Sequence, residues 1–78
     1  MTIIFTTHAL ERMKQRKISK EEVITCIMNS DKLEKIGEIT KAVKRANDKV
    51  LVVYCRYENE DIVVITAYKS SRAQKYLR

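Results

Sequence analysis

The chain has 78 residues, 45% of them hydrophobic, with one glycine, no proline and a formal net charge of +6. That length supports one domain with a core of at most two layers, near the lower size limit for folding without disulfides or metal. No apolar tract is long enough for a membrane span and no signal-peptide pattern is present, so the expected setting is cytoplasmic.

Taken in order, Ile3 to Phe5 is a short apolar lead that suits a brief strand. Thr6 or Thr7 can cap a first helix over about residues 7 to 16, with Ala9, Leu10 and Met13 on its apolar side. A second start signal follows at once. Ser19-Lys20-Glu21-Glu22 fits a capping box, and Ile18 and Val23 are spaced for a hydrophobic staple. The second helix, about 19 to 29, is expected to bury Val23, Ile24 and Ile27, with Met28 as a further candidate, and to stop near Asn29-Ser30-Asp31. From Lys32 onward the pattern moves to β-branched runs: Leu33 to Ile36, Ile39 to Ala46, Val50 to Tyr57 and Ile62 to Tyr68. Gly37, Asn47-Asp48 and Glu58-Asn59-Glu60-Asp61 separate them.

Helix, helix, then strands is an α+β order. The expected architecture is a single domain over 1–78, with two N-terminal helices packed on one face of a three- to four-stranded antiparallel sheet. The other face would lack a cover and carry polar and aromatic residues such as Tyr54, Arg56, Thr66 and Tyr68. Whether Tyr54 and Tyr68 share that face depends on loop register. Cys26 and Cys55 have neither metal spacing nor a disulfide pattern and are expected as buried free thiols.

Charge is concentrated at the chain ends. Residues 1–20 hold five basic side chains and one acidic, residues 66–78 four basic and none acidic, and residues 21–65 seven basic and nine acidic. RNA or another nucleic acid is the commonest partner for that distribution. A merely solvated basic surface is the plain alternative. His8 stands four residues before Arg12 and eight before Arg16, so on a helix the three side chains line one stripe suited to a phosphate. Asp and Glu show no metal-ligand spacing and no glycine-rich phosphate loop exists, so no metal and no cofactor are expected.

The stretch F-T-x-H-A-x-x-R-M-x-x-R at residues 5–16 and the closing V-V-I-T-A-Y-K-x-S-R-x-x-K-Y at residues 63–76 resemble a family of small domains of uncharacterised function in bacteria and archaea. His8, Arg12, Arg16, Thr66, Tyr68 and Lys69 stand at its motif positions, and many relatives carry glycine where this chain has Lys17. That family in turn resembles RelE/ParE-like toxins of the barnase–EndoU–colicin–RelE (BECR) fold group. The resemblance implies a toxin-like, metal-independent ribonuclease, restrained by an acidic antitoxin-like partner protein.

The residues permit such chemistry. Cleavage of RNA by its own 2′-hydroxyl needs a base, an acid for the leaving 5′-oxygen, and cations around phosphorus. An unperturbed imidazole titrates at roughly pH 6.5, which suits His8 as base or acid. His8, Arg12 and Tyr68 are the catalytic candidates; Arg16, Arg45, Lys69 and Arg72 are the candidate nucleic-acid contacts. Two other functions fit the same residues: a non-catalytic nucleic-acid-binding module, and a protein-binding relative of such toxins. Catalysis carries a geometric requirement. The first helix must lie beside the end of the last strand, with His8 in reach of the basic tail.

Overall fold

The computed structural model describes residues 2–77. In chain order the elements are β1 (Ile3–Phe5), α1 (Thr7–Arg16), α2 (Lys20–Met28), β2 (Lys32–Ile36), β3 (Ile39–Ala46), β4 (Lys49–Glu58), β5 (Asp61–Ser70) and α3 (Ala73–Tyr76). The α+β class agrees with the sequence pattern; the strand and helix counts differ from it.

Local signals set both long helices. The Thr6 hydroxyl accepts the Ala9 N–H at 3.0 Å and starts α1. Its end is Lys17, in the left-handed region at φ 56° and ψ 45°, and the next residue, Ile18, donates its N–H to Met13 at 2.8 Å. A left-handed residue after a helix is where glycine is least strained. Replacing Lys17 with glycine is therefore expected to stabilise the fold by about 1 kcal/mol, read as a rise of roughly 4–8 °C in Tm. Two residues after Lys17, the Ser19 hydroxyl accepts from Glu22 N–H while Glu22 accepts from Ser19 N–H, closing the capping box that opens α2. The staple residues Ile18 and Val23 are both buried.

The strands β2 to β5 form an antiparallel meander. Its three hairpins turn through two residues each, starting at Gly37, Asn47 and Asn59 with φ of 62°, 61° and 57°. Glycine and asparagine tolerate that backbone better than other residues. The sheet is not wholly antiparallel, however. β1 adds to β5 in parallel, Ile3 opposite Ile62 and Phe5 opposite Val64, giving five strands in the order β1-β5-β4-β3-β2. The pairing satisfies an edge that β5 would otherwise expose: Ile62 N–H reaches the Thr2 carbonyl at 2.9 Å, and Thr6 N–H the Val64 carbonyl at 3.3 Å.

Both faces of the sheet are buried. On one, Ala9 and Met13 of α1 and Val23, Cys26 and Ile27 of α2 pack on Ala42, Val53, Cys55, Ile62, Val64 and Ala67. On the other, Val43, Val50 and Val52 are fully buried, with Tyr54 and Tyr68 beside them, beneath Ala73, Tyr76 and Leu77. The face expected to lie open is thus covered by α3 and its flank. The reason lies in β4, where Val50, Val52 and Tyr54 oppose Leu51 and Val53, so apolar residues project both ways and both sides need cover.

A bulge settles the register. Tyr54 pairs with Thr66 but Cys55 pairs with Val64, which leaves Ile65 as the extra residue in β5. The bulge turns Ile62, Val64 and Ala67 to the helical side, and Thr66 and Tyr68 to the side of Tyr54. Cys26 and Cys55 are buried free thiols. Burial pushes the Cys26 thiol up to about 12 and raises Cys55 as well, so both stay protonated and unreactive near neutral pH.

Candidate nucleic-acid interface

The two basic ends of the chain meet where α1 runs along β5. β1 stops at Phe5, so it covers only the first part of the β5 edge. Past that point the backbone of β5 is met by a side chain instead: Arg16 Nη1 donates to the Ala67 carbonyl at 2.8 Å. One turn earlier on α1, Arg12 Nη1 donates to Gln15 Oε1 at 3.2 Å. Both guanidiniums are oriented by neutral oxygens, and neither is held by a carboxylate among the described residues. Each keeps its full charge and still has N–H groups to offer, since a guanidinium carries five. His8 is exposed on the same helix, eight residues and therefore about 12 Å along the axis from Arg16.

Lys69 behaves differently. Its ammonium lies 3.0 Å from Glu22 Oε2, while the other Glu22 oxygen takes the Ser19 N–H of the capping box. One carboxylate thereby ties the start of α2 to the end of β5 and cancels the Lys69 charge. The Ser19 N–H, and after it Lys69, holds the Glu22 carboxyl below the ordinary glutamate range. A lowered folded-state pKa contributes stability above the unfolded pKa, roughly 4.3, and loses it as pH falls through the folded value. Melting temperature is therefore expected to drop more steeply below that pH in the native chain than in Glu22→Gln, compared by thermal melts in one buffer series.

Tyr68 stands on the other side of the sheet. Ala67 belongs to the core under α1 and α2, whereas Tyr68 packs with Tyr54 and Tyr76. Its ring stacks on Tyr54 with centroids 6.2 Å apart and meets Tyr76 edge-on at 6.2 Å. The Tyr68 and Tyr76 hydroxyls are 3.0 Å apart. Burial, reinforced by hydrogen bonding to Tyr76 and Tyr54, raises the Tyr68 phenol well above the ordinary tyrosine value. Lys41 Nζ sits 4.8 Å from the Tyr76 ring centre and Lys75 Nζ 5.5 Å, so cations flank this aromatic group as well.

The candidates therefore divide into three places. Arg12 and Arg16, with His8 further along, share α1, and Arg16 touches β5 beside Tyr68 and Lys69. Tyr68 itself is turned away from them, and Lys69 is occupied by Glu22. Arg45 is exposed on β3 opposite Val50, its backbone N–H held by Asp31 Oδ2 at 2.7 Å, and β4 separates it from β5. Arg72 is exposed just before α3, with its N–H on Ser70 Oγ at 3.1 Å. Sequence reasoning passed over Gln15, Glu22 as partner of Lys69, and Tyr76. Gln15 had a signal, since a residue three after Arg12 faces it on a helix.

Comparison with protein families adds one result to this geometry. A family described as a domain of unknown function, DUF4258, matches residues 5–69. The chain belongs to it. No curated protein and no solved structure matches the chain. The DUF4258 match takes in His8, Arg12, Arg16, Thr66, Tyr68 and Lys69, and so spans the α1–β5 seam. It ends before α3, so the cover on the second sheet face lies outside the matched region. Among the described residues no three His, Cys, Asp or Glu side chains group as a metal site, and no helix is long and apolar enough to cross a membrane.

Proposed function

We propose that this domain binds RNA along the α1–β5 seam, with Arg12 and Arg16 as its phosphate contacts. The observation that carries the reading is the anchoring of both guanidiniums by neutral oxygens, at 3.2 and 2.8 Å. An arginine paired with a carboxylate is electrostatically spent, whereas one held by an amide oxygen is oriented and still cationic. Lys14, Lys17 and Lys20 are exposed close by in the chain and extend the positive surface.

A second reading, toxin-like cleavage of RNA without metal, rests on His8. Its imidazole is exposed one helical turn from Arg12, within the span of a bound phosphodiester. Here His8 would be the single acid–base group, because Tyr68 is held by Tyr76 on the far face. An acidic partner protein restraining such a toxin would compete for the same guanidiniums.

One preparation tests both readings. Fluorescence anisotropy with a labelled single-stranded RNA, in chelator and across a salt series, reports binding; gel analysis of the same samples reports products. Binding without products, weakened in the Arg12→Ala Arg16→Ala chain, supports the first reading. Products that vanish in His8→Ala while binding persists support the second. Absence of salt-dependent binding overturns both.

A further inference from the structure

We propose that two copies of this chain pair through β2, antiparallel and centred on Leu33, to make one continuous sheet. β2 is the outer strand at the end of the sheet away from β1, and α2 packs chiefly on β3 and β4. It leaves Leu33 55% and Ile36 50% exposed on a strand whose outer edge meets no further strand among the described residues. Such an edge invites pairing, and natural sheets protect it with charge, bulges or a partner strand.

The partner is another copy because the charges of β2 complement themselves in one register. Gly37-Glu38 is a two-residue turn flanked by Ile36 opposite Ile39. The residues flanking such a turn exchange their hydrogen bonds, so Ile36, Glu34 and Lys32 direct backbone groups to β3 while Leu33 and Lys35 direct theirs outward. A two-fold axis normal to the sheet joins residues of like parity and keeps both helical layers on one side. Three registers then use the outward groups, centred on Leu33, Glu34 or Lys35.

Centring on Glu34 sets two glutamates face to face, and centring on Lys35 does the same with two lysines. Centring on Leu33 sets Lys32 opposite Glu34 of the other copy twice, with the two leucines meeting on the axis; Asp31, whose carboxylate already takes the Arg45 N–H of its own sheet, falls opposite Lys35 just outside β2. Lys32 and Glu34 then form the non-hydrogen-bonded pairs, where side chains approach most closely. Like charges directly opposite are destabilising, so electrostatics selects the Leu33 register. Leu33 would exchange both backbone bonds across the axis, and Lys35 N–H would reach the Asp31 carbonyl. Asp31 N–H stays on the Val43 carbonyl of its own sheet at 2.8 Å.

About four backbone hydrogen bonds and one leucine pair make a small contact, so the dimer should be weak, with dissociation in the micromolar to millimolar range. The seam between α1 and β5 lies at the opposite end of the sheet, and assembly is measurable without RNA.

Sedimentation velocity from micromolar to millimolar protein tests the proposal. The native chain should show mass rising with concentration. Glu34→Lys should lower the association at least tenfold, and so should Lys32→Glu, because each sets like charges opposite. The Lys32→Glu Glu34→Lys chain should recover association, since the complementary pairs are restored in reverse. Glu34→Gln should weaken the dimer in this register and strengthen it if Glu34 lies on the axis. Thermal melts confirm that each variant is folded. A monomer at all concentrations, no recovery in the double variant, or strengthening by Glu34→Gln would each overturn the proposal.

Discussion

Replacing Arg12 and Arg16 together with alanine is expected to lower RNA affinity by at least tenfold at about 0.1 M salt and to flatten its salt dependence. Each phosphate neutralised on a single strand contributes about −0.7 to the slope of log K against log salt, so losing two contacts should reduce it by about 1.4. The single variants separate binding from folding. Among the described residues Arg12 is tied to its neighbour Gln15 alone, so Arg12→Ala should change affinity with little change in Tm. Arg16 also satisfies the Ala67 carbonyl on an uncovered stretch of β5. Arg16→Ala should therefore weaken binding and destabilise the fold by about 1–3 kcal/mol. Anisotropy titrations at four salt concentrations, with thermal melts of each variant, read both effects. A slope unchanged in the double variant would remove the seam from consideration as the RNA contact.

Much of the helical half was legible because its signals are local. Thr6 and the Ser19–Glu22 capping box act over three residues, and the chain folds α1 over Thr7–Arg16 as its spacing predicts. Hairpins were legible for the same reason, since Asn47 and Asn59 mark turns by their own backbone preferences. The parts that differed depend on distant partners. Ile3–Phe5 has too few residues for a period, and its parallel pairing with β5 depends on how the whole chain closes. The cover on the second face did leave a trace: Val50 to Tyr54 is a continuous apolar run, the mark of a strand buried on both sides. Expecting an open face overlooked it. What it could not supply was the identity of the cover, a four-residue helix with no periodicity of its own.

The site divides in the same way. A helical stripe of His8, Arg12 and Arg16 follows from spacing alone, and their residence on α1 follows with it. The partner of Arg16 is a backbone carbonyl 51 residues away, which leaves no mark on residue types. Glu22 was readable as a cap, yet only packing brings its second oxygen to Lys69. Whether Tyr68 joins the stripe turned on a single bulge residue, Ile65. No local preference marks it, and it leaves Tyr68 on the face opposite α1.

The strongest expected effect on stability is at Tyr68 itself. Its half-buried ring stacks on Tyr54, meets Tyr76 edge-on and lies against the buried valines under α3. Removing a large buried ring costs about 3–5 kcal/mol in a closed core, and partial exposure brings the expectation for Tyr68→Ala to about 2–4 kcal/mol. For a chain of this size that is a fall in Tm of roughly 10–25 °C. Tyr68→Phe keeps the ring and loses only the contact with the Tyr76 hydroxyl, so it should cost about 0.5–1.5 kcal/mol. The two substitutions thus separate structure from chemistry. If Tyr68 serves the second face alone, Tyr68→Phe binds RNA as the native chain does and leaves any cleavage rate unchanged. If its hydroxyl protonates the leaving oxygen, Tyr68→Phe stays folded and loses cleavage by about 10²- to 10⁴-fold. A raised phenol pKa and the sheet lying between Tyr68 and α1 both favour the first outcome.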